Sequence, residues 1–149
     1  MNLGYRACTL EDEAFLYELH RSTMRVYVEE TWGEWDEAWQ RETFQRRFSP
    51  DGVLILQLDG EDIGTVWVQE RTEELFLSRI EILPAYQRRG IGSQVIRALI
   101  EKASAQGKAV ALKVLKSNRP ARSLYQRLGF GVTGETDTHY VMATLAPGR

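Results

Sequence analysis

The stretch QRRGIG, Gln87 to Gly92, puts two arginines and two glycines where a strand is predicted to end and a helix to begin. A helix start exposes unpaired N–H groups and the positive end of the helix dipole, so a glycine-bearing turn there can hold a phosphate group. Arg88 and Arg89 add charge-assisted donors suited to a diphosphate. The stretch lacks the third glycine of a dinucleotide fingerprint and the Gly-Lys-Ser/Thr end of a P-loop. An ordinary turn with solvated arginines explains these six residues equally well.

Length and composition limit the classes of protein to consider. The chain has 149 residues, 43% apolar and 27% charged, which predicts one domain over residues 1–149. A net charge of -2 gives no general attraction to nucleic acid. One cysteine, Cys8, and two histidines favour a reducing compartment and no metal. Without an apolar run of membrane-span length or a signal-peptide core, we expect a cytoplasmic protein with no membrane partner, either a monomer or a homodimer.

The first half of the chain predicts one strand, two helices and then a hairpin. Tyr5 to Thr9 is a short strand, and Thr9 with Asp12 resembles a capping box that opens a helix. That helix turns Phe15, Leu16, Leu19 and Met24 inward. A second helix follows Gly33, and its aromatic pairs share a helix face because each pair is four residues apart: Trp35 with Trp39, and Phe44 with Phe48. The strands Val53 to Leu58 and Ile63 to Glu70 flank the turn-prone Asp59-Gly60.

The second half predicts alternating strands and helices. A strand from Leu75 to Leu83 ends at Pro84, and an amphipathic helix runs from Gly92 to Gly107. A strand at Val110 to Leu115, a helix from Pro120 to Gly129 and two closing strands follow, near Phe130 to Gly134 and Tyr140 to Leu145. The order predicts an α/β fold of the α+β type: a single mixed, mostly antiparallel sheet of about six or seven strands with helices on both faces.

Two motifs resemble one known family. Gln87-x-x-Gly90-x-Gly92, after a strand that ends at Pro84, resembles the acyl-CoA signature of the GCN5-related N-acetyltransferases, the GNAT family. The segment NRPARSLYQRLGF, Asn118 to Phe130, is similar to a later motif of that family, in which an Asn opens a helix, a Tyr lies inside it and Leu-Gly-Phe ends it. The resemblance covers the last half of the chain, and the first half matches only in its order of elements.

The resemblance implies an acetyl-CoA site. In the family a central strand is splayed open to admit the pantetheine arm, and here Ile82 and Leu83 would offer backbone groups to it. Asn118 would hydrogen-bond the pantetheine or fix the splay. The diphosphate would be bound through main-chain N–H groups of one turn: Gln87, Arg88, Arg89, Gly90, Ile91, Gly92 and Ser93. Three further basic residues either meet the ribose phosphate or form a solvated face, with the second reading favoured: Lys116, Arg119 and Arg122.

Acyl transfer to an amine needs a neutral amine, donors for the oxyanion and a proton for the leaving thiolate. The family implies that the Tyr125 hydroxyl lies near the thioester sulfur, although its ring could equally serve packing. Glu81 is the best-placed carboxylate for removing the amine proton, with a solvent-facing strand residue as the equal alternative. His139 is a second candidate base, and His20 a weaker one. Cys8 has no nearby base, so direct attack is expected rather than a covalent enzyme intermediate.

The acceptor side is less defined. In the family the first two helices wall the acceptor site, and here their connection reads RVYVEETWGEWDEAW, rich in carboxylates and aromatics. That composition suits a cationic amine, on a small molecule or on a protein, and suits an amphipathic helix with a packed aromatic face just as well.

The sequence therefore predicts an N-acetyltransferase that uses acetyl-CoA. A non-catalytic acyl-CoA-binding sensor or interaction module on the same fold is the alternative. A weaker third hypothesis, an RNA phosphate patch made by Arg88, Arg89, Arg119 and Arg122, lacks both net positive charge and an RNA-stacking motif, so no nucleic-acid partner is expected.

Overall fold

Residues 2–147, the described part of the chain in the computed structural model, contain seven strands, four α-helices and two short 3₁₀ helices, Leu10–Asp12 and Pro84–Tyr86. In chain order the strands and α-helices are β1 (Leu3–Ala7), α1 (Glu13–Trp32), α2 (Glu37–Arg47), β2 (Val53–Leu58), β3 (Glu61–Glu70), β4 (Glu74–Ile82), α3 (Ile91–Ala105), β5 (Ala109–Leu115), α4 (Arg119–Arg127), β6 (Gly131–Glu135) and β7 (His139–Ala143). No helix among these residues is both long and apolar enough to cross a membrane.

The strands form one sheet in the order β1-β2-β3-β4-β5-β7-β6. Antiparallel ladders join β1 to β2, β2 to β3, β5 to β7 and β6 to β7. The β4–β5 ladder is parallel and pairs Glu74–Leu77 with Ala109–Leu112, since a helical crossover joins the two strands. The predicted mixed, mostly antiparallel sheet is confirmed, with seven strands.

The described residues divide into two compact units. Residues 2–67 and 79–89 make up the first unit, and residues 68–78 and 90–147 make up the second. The expectation of a single domain over residues 1–149 stays a prediction.

The first unit is organised by the start of α1. Thr9 accepts a hydrogen bond from the N–H of Glu11 through its hydroxyl, and Asp12 accepts one from the N–H of Thr9, so the predicted capping box is present. Leu16 and Leu19 of α1 are buried in a core that includes Ile55 of β2. The capping box opens a short 3₁₀ helix, Leu10–Asp12, and α1 follows directly from it at Glu13.

Of the two aromatic pairs predicted near α2, one is in contact and the other does not share a helix face. Asp36 accepts a hydrogen bond from the N–H of Trp39 at 3.0 Å, so α2 begins at Glu37 and Trp35 precedes it. Trp35 is buried while Trp39 is exposed, and the prediction that they share a helix face is wrong. The Phe44 and Phe48 rings do stack, with centroids 6.2 Å apart.

The second unit is built on α3 and α4. α3 buries Val95, Ile96 and Ala103, which belong to the predicted apolar stripe. Asn118 begins α4 by accepting a hydrogen bond from the N–H of Ala121. The helix ends before Gly129, whose φ of +99° is the left-handed conformation that glycine adopts without strain.

A charged network ties the first strand to the capping box and to β3. The Arg6 guanidinium contacts the Asp12 carboxylate at 2.8 Å and the Asp62 carboxylate at 2.7 Å. Its hydrogen bonds hold the pKa of both carboxyl groups below the ordinary value of 3.8.

This network predicts an acid-dependent loss of stability. Because the Asp12 pKa is lower in the folded chain than in the unfolded chain, its contribution is complete above the unfolded value and is lost as the pH falls through the folded value. We expect Asp12→Asn to reduce the fall in the free energy of unfolding between about pH 5 and about pH 2, measured by urea titration. Exposed Asp51 provides the control, Asp51→Asn. Equal pH slopes for the two variants would contradict the assignment.

Candidate active site

Two left-handed residues shape the turn before α3. Arg88 has φ of +64° and Gly90 has φ of +80°, and the first helical N–H bond runs from Gln94 to the Gly90 carbonyl at 3.0 Å. Left-handed residues are a feature of the backbone turns that bind anions, in which successive N–H groups face one concave side. The glycines indicated this turn in the sequence. The left-handed Arg88 was not predicted, because arginine carries no preference for that conformation.

Within the first unit, the end of β4 is linked to this turn. The Gln87 side-chain amide donates to the Ile82 carbonyl at 2.9 Å. The Leu83 N–H donates to the Ile63 carbonyl, and the Leu83 carbonyl accepts from Tyr86, both at 2.8 Å. A ligand bond from the Leu83 N–H would have to replace the bond to Ile63.

Some residues of the turn have an accessible backbone, and one residue anchors the start of α3. Arg88, Arg89 and Gly90 are exposed, whereas the Ile91 side chain is buried in the second unit. Gly92 and Ser93 follow in the first turn of α3 and are half-buried. Ile91 therefore fixes the helix start, and the residues before it remain accessible.

Glu81 is buried near the end of β4, with a relative exposure of 5%. It follows the strand's period of two from Leu75 and Leu77, both buried, so the solvent-facing interpretation of Glu81 is wrong. One carboxylate oxygen, Oε2, lies 2.7 Å from Nδ1 of His20 on α1. The other, Oε1, has no hydrogen-bond partner among residues 2–147. A buried carboxylate with one unsatisfied oxygen costs free energy, so it calls for an explanation.

The surroundings of Glu81 are aromatic and cationic. The His20 ring stacks on Phe44 with centroids 5.9 Å apart and lies 6.1 Å from Trp35. The Arg79 guanidinium lies 4.4 Å from the centre of the Trp67 ring, with Nε 4.0 Å from Glu81 Oε2. Sequence reasoning missed Arg79 and ranked His20 below His139. The period-two pattern of β4, which places Arg79 and Glu81 on one face, was the available signal.

Gly64 allows β3 to approach the backbone of Glu81. A Cβ atom built on Gly64 would lie 2.5 Å from the Glu81 carbonyl oxygen and 3.2 Å from the Ile82 Cα. Both neighbours are backbone atoms, so neither can rotate away. Glycine is therefore required here for steric reasons.

In the second unit, Tyr125 and Asn118 belong to α4. Tyr125 is buried, with its ring centroid 5.7 Å from that of Phe130, and its carbonyl accepts from the Phe130 N–H at 3.0 Å. Asn118 caps the helix that carries Tyr125. The segment Asn118 to Phe130 therefore forms a helix whose two ends are fixed by hydrogen bonds.

His139 lies on β7 opposite Leu115 of β5 and is half-buried. Its Nδ1 is 2.7 Å from the Thr138 hydroxyl. Burial, with a smaller effect from the Lys113 charge, lowers the pKa of His139 below 6.5. The shift favours the neutral form of the imidazole.

Two of the three basic residues predicted near the ribose phosphate have partners within the second unit. Lys116 contacts the Glu135 carboxylate at 2.6 Å, and the Arg122 guanidinium lies 5.1 Å from the centre of the Tyr140 ring. These contacts favour an ordinary basic face over a ribose-phosphate site for Lys116 and Arg122. Arg119 is exposed at the first position of α4.

The acidic aromatic segment between α1 and α2 serves two purposes. Trp35 is buried and donates its indole N–H to Glu37 at 2.7 Å. Trp32 is exposed, as are Glu30 and Glu34. Packing therefore explains Trp35. It does not explain the exposed indole of Trp32 or the exposed carboxylates of Glu30 and Glu34.

Comparison with known proteins identifies the family. The model of the acetyltransferase (GNAT) family matches residues 14–130, which is most of the chain. The chain belongs to the GNAT family. The chain is 26% identical to a spermine/spermidine N(1)-acetyltransferase of Bacillus subtilis over 148 residues, covering 92% of this chain and 93% of that protein. It is 36% identical to a mycothiol acetyltransferase of Streptomyces avermitilis over 98 residues, covering 62% of this chain and 31% of that protein.

A solved structure shows the same GNAT fold. The PaiA N-acetyltransferase of Thermoplasma acidophilum, in complex with coenzyme A, matches with a TM-score of 0.78 and 19% identity, covering 97% of this chain and 99% of that one. The chain spans between 31% and 47% of the length of the first four curated relatives that it matches.

The contact at Gly64 generates a test of the geometry around Glu81. We expect Gly64→Ala to lower the free energy of unfolding by about 1–3 kcal/mol, because the added methyl group overlaps backbone that cannot move independently. Gly4→Ala in β1 is the matched control, since a Cβ there meets nothing within 4 Å. Chemical denaturation of both variants measures the difference. Equal stability of the two would show that β3 does not approach Glu81 as described.

Proposed function

We propose that the protein is an N-acetyltransferase that transfers an acetyl group directly from acetyl-CoA to a primary amine. The observation that carries the proposal is the buried Glu81 carboxylate, whose Oε1 has no partner among residues 2–147. A module that only binds an acyl-CoA has no use for an unsatisfied buried carboxylate. An enzyme that must deprotonate an amine does, because the free amine has a pKa of about 10 and is mostly protonated at neutral pH.

The donor site follows from the turn before α3. Exposed backbone at Arg88 to Gly90 and the start of α3 supply N–H donors for the diphosphate. The remaining residues of the turn are Gln87, Ile91, Gly92 and Ser93. We assign the pantetheine contacts to backbone groups of Ile82 and Leu83. A bond from the Leu83 N–H would replace its bond to Ile63, and the Ile82 carbonyl would accept a second hydrogen bond beside that from Gln87. Asn118 contributes by capping α4.

Glu81 is the better candidate for the base. It takes a proton from the ammonium group at Oε1, and the electron pair of that N–H bond remains on nitrogen. The amine then attacks the acetyl carbon and pushes an electron pair onto the carbonyl oxygen. His139, the other candidate, contacts the Thr138 hydroxyl through Nδ1 at 2.7 Å and could accept a proton at the ring nitrogen that lacks one.

Collapse of the tetrahedral intermediate returns the electron pair of the oxyanion to the carbonyl bond and breaks the C–S bond. The thiolate takes a proton, and the nitrogen, which became positively charged on attack, releases its second proton to solvent. Tyr125 is the proposed donor of that proton, through its O–H group. The assignment rests on the chemistry of the phenol, since a tyrosine O–H group can act as a general acid toward a leaving thiolate. Burial, aided by Asp12, raises the pKa of the Cys8 thiol to about 11, which keeps it protonated and supports direct transfer over a covalent cysteine intermediate.

The proposed acceptor is a cationic amine, carried by a small molecule or by a protein. Exposed Glu30, Glu34 and Trp32 near the end of α1 suit a positive charge. The similarity to a spermine/spermidine acetyltransferase agrees with an amine acceptor.

A panel of acceptors tests the function. Thiol release from acetyl-CoA is followed with polyamines, amino acids, aminoglycosides and peptides that have free N-termini. Turnover with any of these acceptors would support the proposal that the protein is an enzyme. The acceptor with the highest turnover would indicate the class of the natural substrate. Saturable binding of acetyl-CoA with no turnover across the panel would instead favour the alternative hypothesis, a non-catalytic acyl-CoA-binding sensor.

The donor site is tested by ligand-induced stabilisation. Acetyl-CoA and CoA should raise the melting temperature, because a ligand that binds only the folded state stabilises it. Gly90→Asp should abolish the shift by placing a side chain and a negative charge in the turn. Gly107→Asp is the matched control, since Gly107 also has a left-handed φ, +71°, and open space around its Cβ position. A normal shift in Gly90→Asp would remove the turn from the binding site.

A further inference from the structure

His20 is the residue outside the proposed catalytic set that makes the closest contact to it. The contact joins positions 61 residues apart, from the middle of α1 to the end of β4, with 2.7 Å between Nδ1 and Oε2 of Glu81. The Glu81 side chain is 4% exposed and that of His20 is 17% exposed. The hydrogen bond is therefore largely shielded from water, where such a bond orients its partners strongly.

The packing around His20 fixes the ring as well as its position. Phe44 stacks against one part of the ring with an interplanar angle of 28°, and Trp35 lies against it at 49°. Trp35 is itself held by its bond to Glu37, which also accepts a hydrogen bond from the Tyr17 hydroxyl at 2.7 Å. The imidazole therefore has little freedom to rotate away from Glu81.

The two oxygens of Glu81 are consequently not equivalent. His20 occupies Oε2, and the Arg79 Nε lies 4.0 Å from the same oxygen. Oε1 has no hydrogen-bond partner in the part of the chain that the structure describes. If the pair only anchored α1 to β4, satisfying both oxygens would stabilise it further, since an unsatisfied buried oxygen is costly. The arrangement keeps one oxygen oriented and leaves the other available.

We propose that His20 is the positioning residue of Glu81. Its Nδ1–H donates to Oε2, holds the carboxyl group in one orientation and leaves Oε1 as the atom that accepts the amine proton. This inference rests on the proposed function, because it assigns a role within the same transfer. His20 touches neither the amine nor acetyl-CoA and acts through Glu81.

Two substitutions of one residue separate positioning from simple packing. His20→Asn keeps an N–H donor near the place of Nδ1, because both nitrogens are bonded to Cγ, while His20→Ala removes it. We expect His20→Ala to lower kcat about ten- to a hundredfold, the effect of losing one hydrogen bond to a charged group. His20→Asn should recover most of that loss, and KM for acetyl-CoA should stay close to the wild-type value in both. Equal losses in the two variants, or a loss that appears only in KM, would overturn the proposal.

A spectroscopic measurement on the wild-type protein does not depend on activity. The chain has only two histidines, so the imidazole ¹⁵N signals of His20 can be assigned by their absence in His20→Asn. We expect the proton of His20 on Nδ1. A neutral His20 with its proton on Nε2 would overturn the proposal even in an active enzyme. A wild-type protein that turns over no amine would overturn the proposed function and this inference together.

Discussion

A buried carboxylate must be compensated, and in the first unit that requirement links four elements of the fold. Glu81 on β4 is bound by His20 from α1, whose ring is held by Trp35 before α2 and by Phe44 within it. β3 contributes Gly64, which admits the Glu81 backbone, and Trp67, which lies under Arg79. Removing the His20 imidazole would leave the buried carboxylate without its hydrogen-bond partner, and an unpaired charge in an apolar setting is several kcal/mol less stable than in water.

The same constraint explains why one oxygen of Glu81 is satisfied and the other is not. Full satisfaction of both oxygens would give a stable but unreactive carboxylate. In the proposed mechanism, the bonded oxygen provides orientation and the unsatisfied oxygen accepts the proton. The unsatisfied oxygen lowers the free energy of unfolding, and the burial of the surrounding aromatic rings raises it, so the packing offsets the loss.

The sequence predicted the elements whose signals are local. The capping box at Thr9 and the Gln87–Gly92 turn depend on neighbouring residues, and both appear in the structure. The predicted face shared by Trp35 and Trp39 failed because the Asp36 cap, rather than Gly33, sets the start of α2. The His20–Glu81 contact joins residues 61 apart, so no local pattern contains it. Its partial signal was the period of two in β4, which places Glu81 on the face of Leu75 and Leu77.

The central claim is that Glu81 accepts the amine proton, and single-turnover transfer by Glu81→Gln tests it most directly. The amide preserves the size of the side chain but cannot take that proton. Exposed Glu73 provides a matched control, Glu73→Gln. With a working acceptor and saturating acetyl-CoA, Glu81→Gln should transfer the acetyl group about a hundredfold or more slowly, with acetyl-CoA affinity unchanged. A wild-type rate in a folded Glu81→Gln protein would contradict the account and return His139 to consideration as the base.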